Sequence, residues 1–213
     1  MYRDYKFEII KNICSFNVKN FDLGHHPGTG YFKDNNYFLL ISKNASTTVR
    51  NVLAEQNWHY CIRPPIDVEK FYVIVREPYD RWLSGMAEFL CNGFKNNQTE
   101  IDSLMDNDSF IRMLVEIGIF DGHTAPQTWY LNSLPMDRLF FYKFNNSVVD
   151  RLFKDLNIFV NYEDQKRSEL LGEQHNIKNK LEYKVKKLGL TDNIIEHYRF
   201  NDLILLTKIQ NLS

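Results

Sequence analysis

The sequence predicts an α/β layer fold, with a central, mostly parallel sheet flanked by helices. Three observations point to it. Short apolar, aromatic-rich runs at Tyr37–Ile41, Phe71–Val75 and Leu139–Phe144 read as strands covered on both faces. Apolar residues at helical spacing follow each run. No repeat, low-complexity tract or linker interrupts the alternation, so it reads as a single domain over 1–213. A 213-residue chain that is 44% hydrophobic can bury a sizeable core for such a domain.

Residues 1–36 read as an N-terminal extension, in which Phe7, Ile9, Ile10 and Ile13 fit either a short helix or a short strand. Gly24–Gly30 reads as a loop on its glycine and proline content. Gly28-Thr29-Gly30 is no dinucleotide fingerprint, because no strand is predicted before it and no third glycine follows. His25 and His26 either face solvent or touch a substrate. The run 37–41 opens the sheet, and Val49, Val52 and Leu53 mark one face of the helix after it. Pro64-Pro65 ends any regular element in the segment from Asn57. The run 71–75 leads to Arg76, and Pro78 suits the first turn of the next helix. Tyr79, Trp82, Leu83, Met86 and Leu90 form its apolar face, while Arg81, Ser84 and Glu88 share another.

Asn92–Asp108 is polar and reads as a surface excursion. Asp108 or Ser109 can cap a helix with the face Phe110, Met113, Leu114 and Ile117, closed by Gly118. Asp121–Leu131 reads as a turn into a short helix. Val148, Val149, Leu152, Phe153 and Leu156 predict the helix after 139–144. In the Lys/Glu-rich stretch 162–190, Lys178, Lys180, Lys184, Lys186 and Lys187 form either a solvated helix face or an acceptor-binding patch. A last helix from about Thr191 carries Ile194, Ile195, Tyr198, Leu203, Ile204 and Leu206.

Composition excludes several classes. A formal net charge of −1 gives no global field toward nucleic acid or an anionic membrane, so any anion site is local. Three scattered cysteines, Cys14, Cys61 and Cys91, form neither a disulfide framework nor a zinc pattern. No run approaches the ~20 apolar residues of a membrane span, and Met1–Glu8 is too charged for a signal-peptide core. A soluble, cytoplasmic protein is therefore expected. Asn44-Ala45-Ser46 fits a glycosylation sequon, but a glycan there would block the loop discussed next.

That loop is Ser42-Lys43-Asn44-Ala45-Ser46-Thr47-Thr48. A tight polar loop between strand and helix points free backbone N–H groups at an anion, with hydroxyls and a lysine in support. The plain alternative is an ordinary strand-to-helix turn with Ser/Thr capping. In open α/β sheets ligands sit beyond the carboxyl ends of the strands. Lys43 and Arg76 both lie at such ends. If the two strands are neighbours, both loops face one crevice, which suits a ligand with two anionic groups. A Walker A loop would need glycines before its lysine, and no acidic strand end stands ready for a metal, so a nucleotide kinase fits poorly.

Ser42-Lys43-Asn44-Ala45-Ser46-Thr47-Thr48 resembles the 5′-phosphosulfate-binding loop of sulfotransferases that use 3′-phosphoadenosine 5′-phosphosulfate (PAPS). Val75-Arg76-Glu77-Pro78-Tyr79-Asp80-Arg81-Trp82-Leu83-Ser84 resembles their 3′-phosphate-binding segment. His123-Thr124-Ala125-Pro126-Gln127, Phe144-Asn145-Asn146 and Tyr198-Arg199-Phe200-Asn201-Asp202 are similar in order and spacing to the carbohydrate-sulfotransferase-like branch. The resemblance covers roughly 37–207. It implies a P-loop-like fold and sulfonate transfer from PAPS to a hydroxyl acceptor, such as a glycan, without a metal, leaving 3′-phosphoadenosine 5′-phosphate (PAP). It implies that Lys43 holds the phosphosulfate and stabilises the leaving phosphate, with Asn44, Ala45, Ser46, Thr47 and Thr48 as cradle. It assigns Arg76 and Ser84 to the 3′-phosphate. Arg81 either joins them or braces its helix. His123 and His59 are the candidate general bases, with Glu55 in the same window as His59. Phe144-Asn145-Asn146 lacks the acid often found there and the insert between the phosphate motifs is short; both departures bear on the base and the acceptor cleft. Two other readings stand beside the enzyme: a catalytically degenerate binding module and a P-loop phosphotransferase.

Overall fold

β2 (Asn36–Leu39) is an apolar run with partners on both sides, and the sheet is built around it. In the computed structural model, which describes residues 26–94, 97–131, 134–160 and 170–210, five strands pair in the order β3-β1-β2-β4-β5. β1 (Gly30–Lys33) and β2 form an antiparallel hairpin. Its turn residues Asp34 and Asn35 have φ of 48° and 61°, the positive values a two-residue type I′ turn requires. β3 (His59–Cys61) lies antiparallel on the outer edge of β1. β4 (Lys70–Val75) pairs parallel with β2, and β5 (Leu139–Lys143) parallel with β4. Four of the five strands therefore run in one direction, as predicted. The hairpin and β3 are additions, and the hairpin draws its first strand from the end of the 1–36 extension.

The chain forms two compact units. The sheet belongs to the one gathering His25–Glu77, Pro126–Arg167 and Asn201–Ser213. Strand alternation sends Phe38, Leu40, Tyr72, Ile74 and Tyr142 to one face, against Val49, Val52 and Leu53 of α1 (Ser46–Glu55). Val148, Val149, Leu152 and Phe153 of a second helix, Val148–Asp155, cover the same face. Tyr37, Leu39, Ile41, Phe71, Val73 and Val75 line the other face. There they meet Tyr130 of Gln127–Tyr130, and Leu205 and Leu206 of Asp202–Gln210. Helices on both faces make this unit three-layered, and explain strands that are apolar on both sides.

The second unit, whose described residues fall in 78–94, 97–125 and 170–200, is helical in them. In chain order its described helices are α2 (Pro78–Gly93), α3 (Gln98–Asp106), α4 (Asp108–Ile117), α7 (Leu170–Lys187) and α8 (Thr191–Glu196). The sheet unit's remaining helices are α5 (Gln127–Tyr130), α6 (Val148–Asp155) and α9 (Asp202–Gln210). Trp82, Leu83, Met86 and Leu90 of α2 pack with Phe110, Leu114, Ile177, Leu181, Val185 and Ile194 in one core.

Four sequence expectations change here. The polar excursion 92–108 contains α3, because Ile101 and Met105 at i, i+4 are enough to bury one stripe. The cap of α4 is Asn107, whose side chain accepts from the Ser109 and Phe110 N–H groups, in place of Asp108 or Ser109. The last predicted helix is two, α8 and α9, one in each unit. The lysine stripe of α7 is neither free nor ligand-directed in its inner half. Lys178 pairs with Asp80, Lys180 with Asp102 and Asp106, and Lys184 with Asp108. Each such partly exposed pair contributes about 0–1 kcal/mol. The readings made for Phe7–Ile13, Cys14 and His25 lie outside the described residues. Among the described residues no helix is long and apolar enough to cross a membrane.

Candidate functional site

β2 pairs with β4 only as far as Leu39–Val73. Beyond that point the chain leaves the sheet as the loop 40–45, and the backbone of Ile74 in β4 and of Arg76 just past it has no ladder partner on that side. Two side-chain amides replace it. Asn44 Nδ2 donates to the Ile74 carbonyl at 2.7 Å. Gln127 brackets Arg76: its Oε1 accepts the Arg76 N–H at 2.8 Å and its Nε2 donates to the Arg76 carbonyl at 2.8 Å. Asn44 and Gln127 also join each other, Nδ2 to Oε1 at 2.7 Å. Asp202, at the start of α9, closes the chain by accepting from the Gln127 N–H, Gln127 Nε2 and the Thr128 N–H. Asn44 is 1% exposed and Gln127 and Asp202 0%, so water cannot substitute for any member.

This network places the Lys43 loop beside Arg76. The strands are neighbours, as the two-anion reading requires, and Arg76 Nη1 donates to the Lys43 carbonyl at 2.9 Å. The Arg76 guanidinium also lies over the Phe144 ring, 4.4 Å from its centre, an arrangement that is favourable by about 0.5–2 kcal/mol. The loop reaches α1 through two left-handed residues, Lys43 (φ 69°) and Ala45 (φ 59°). Ala45 is the N-cap and has no side chain with which to cap. The first-turn N–H groups of Ser46, Thr47 and Thr48 lie ahead of the first helical bond, Val49 N–H to the Ala45 carbonyl. They are the donors an anion would meet, with half-buried Thr47 and Thr48 hydroxyls next to them. Asn44 differs from the cradle expected of it. Its N–H is engaged by the Ile41 carbonyl and its side chain points into the network, so it holds the loop from inside.

Ser84 and His123 belong to the helical unit. Ser84 is half-buried on α2. His123 is 4% exposed and stands between two carboxylates. Its Nδ1 is 2.9 Å from Asp121 Oδ2, and its Nε2 is 3.7 Å from Glu88 Oε2. With Nδ1–H donating to Asp121, Nε2 is the ring nitrogen that can take a proton. Asp121 Oδ1 also accepts the His123 and Thr124 N–H groups. Arg81 braces this loop: it is buried and donates to the carbonyls of Ala125 and Gly122. Gly85 lets α2 approach closely, since a Cβ there would sit 2.3 Å from the His123 carbonyl oxygen.

His59 is exposed on the edge strand β3, opposite Phe32 and therefore level with Tyr37, well before the strand end that carries the loop. Two strand spacings, about 10 Å, separate it from β2. Glu55 is at the far end of α1 from the loop, about 14 Å along the helix. Neither is brought to Lys43. Sequence reasoning gave no role to Gln127, Asp202 or Asp121, although the first two fall in quoted segments. Their signal is polar side chains beside apolar runs, which spacing alone does not connect. Among the described residues no group of three or more His, Cys, Asp or Glu side chains is placed to hold a metal ion.

No family model, curated protein or solved structure matches this chain.

Proposed function

We propose that the chain is a PAPS-dependent sulfotransferase that moves a sulfonate group to an acceptor hydroxyl on a carbohydrate, with a P-loop-like α/β unit as its nucleotide platform. The observation that supports this most is the pairing of Lys43 and Arg76 at adjacent parallel strand ends, beside the uncapped N-terminus of α1. The residues fit the donor: one loop offers N–H groups, hydroxyls and a lysine, and the neighbouring strand end offers a guanidinium held by Lys43 and Phe144. When bound, the donor supplies an activated sulfonate whose leaving group is a phosphate. Lys43 then opposes the negative charge that gathers on that phosphate. Arg76 holds the second anionic group. Ser84, as its partner, and His123, as the base that takes the acceptor proton, enter the proposal on chain spacing and on the chemistry of their side chains.

The test is direct. PAP at 100 times its dissociation constant should add about 2.7 kcal/mol of stability, while ATP with Mg²⁺ adds little. Labelled PAPS with a panel of glycans should yield a labelled acceptor. Absence of both PAP binding and transfer sinks the proposal. The burial of His123 favours one second reading, a sulfotransferase-like binding module, for which PAP binds and no acceptor is ever labelled.

A further inference from the structure

We propose that Asp202 is a positioning residue: it anchors Gln127, and the buried chain Asp202–Gln127–Asn44 sets the conformation of the Lys43 loop and of Arg76. The ligand arm of its test rests on the sulfonate-transfer reading, and the other arms do not.

The donor and acceptor pattern carries the argument. A carboxylate only accepts. Three donors converge on Asp202: the Gln127 N–H at 2.9 Å, Gln127 Nε2 at 3.1 Å and the Thr128 N–H at 3.2 Å. It therefore fixes the main chain and side chain of Gln127 together. Gln127 Nε2 is held by two acceptors, Asp202 and the Arg76 carbonyl, so Oε1 must face the two donors, Asn44 Nδ2 and the Arg76 N–H. Asn44 in turn needs its NH₂ on the inner side, against the Ile74 carbonyl and Gln127 Oε1. Each link thus has one workable polarity. Reversing any of them sets donor against donor or acceptor against acceptor in a site closed to water. The chain ties the start of α9 to a loop that follows β2, and so places the Lys43 carbonyl where Arg76 Nη1 meets it.

Two substitutions break the donor–acceptor pattern with almost no change of shape: Asn44→Asp sets an oxygen against the Ile74 carbonyl and Gln127 Oε1, and Asp202→Asn sets an NH₂ against either the Thr128 N–H or the two Gln127 donors. Asp155→Asn is the control, because Asp155 holds the Tyr142 hydroxyl at 2.6 Å in the same unit and has no part in the chain. In Asp202→Asn the Arg76 N–H should exchange with solvent about ten-fold faster or more, and PAP should bind about ten-fold more weakly or worse. The Gln127 side-chain amide signals should move in an NMR spectrum. Asn44→Asp should give the same three changes and serves if Asp202→Asn fails to fold. Asp155→Asn should melt at a lower temperature with all three unchanged. A lower melting temperature for Asp202→Asn and Asn44→Asp, with Arg76 exchange and the Gln127 signals at wild-type values, overturns the proposal. If the wild-type protein does not bind PAP, the sulfonate-transfer reading falls, and exchange and the amide signals alone decide the anchor.

Discussion

Lys43 and Ala45 both hold left-handed backbone, at φ 69° and 59°, where a glycine would be expected. Each such non-glycine residue costs about 1–2 kcal/mol. The bonds of Asn44, between them, offset that cost by pinning the loop to Ile74 and Gln127. Strain of this kind persists where the surroundings over-determine it, and it turns the Lys43 carbonyl to Arg76. If Lys43 acts on the leaving phosphate, its loss should cost more in turnover than in binding. Lys43→Ala is expected to lower kcat about 10²–10³-fold while PAP affinity falls much less. Steady-state kinetics alongside calorimetric titration with PAP separates the two. Equal losses in both would make Lys43 a binding group only.

Three of the described helices end with one device. α1, α6 and α7 each close with the third residue past the helix bonded back across five residues: Trp58 N–H to Leu53, Ile158 N–H to Phe153, Leu190 N–H to Val185. The preceding residue is left-handed in each case: Asn57, Asn157 and Gly189. These are Schellman ends, in which the apolar residue past the cap turns back onto the helix. Asparagine is one of the few residues besides glycine that adopts this conformation readily. Asn57→Gly should therefore leave stability unchanged or raise it by up to about 1 kcal/mol, and Asn57→Val should lower it by about 1–2 kcal/mol. Urea unfolding of the three proteins measures this, and a Val variant as stable as wild type would refute the assignment. The sequence contained these caps as Asn-Trp and Asn-Ile after amphipathic stretches. Asparagine is common in ordinary loops as well, so composition did not single them out.

At the scale of the whole molecule, each unit has its own core, a helical cluster around Trp82 and a sheet covered on both faces. The sheet unit contains two phenols held well above the usual tyrosine range. Burial is the main cause for Tyr37 and for Tyr142, and Asp155, which accepts from the Tyr142 hydroxyl, raises Tyr142 further. A phenol is neutral while protonated. The folded state therefore keeps protons that the unfolded chain releases near pH 10, about the ordinary tyrosine value. The contribution is complete below about pH 10 and is lost as pH rises beyond it. Stability should fall as pH rises beyond about 10, and fall less steeply in Tyr142→Phe. Denaturant unfolding across that range checks the slope, and identical slopes would exclude Tyr142 as a contributor.

The sequence by itself determined the three apolar strands, the helices after them, and the placing of a lysine loop and an arginine at the ends of two of those strands. These are local patterns: runs of apolar residues, helical spacing and polar residues at the break between them. Only the tertiary structure decided that β2 and β4 are neighbours, because strand order depends on which runs pair across more than thirty residues. It also decided what completes the sheet past Leu39. Asn44, Gln127 and Asp202 are ordinary polar residues in the sequence. They become a network because the fold buries them together, where the Asn44 NH₂, the Gln127 amide and the Asp202 carboxylate meet one another and Asn44 Oδ1 is left without a hydrogen-bond partner among the described residues.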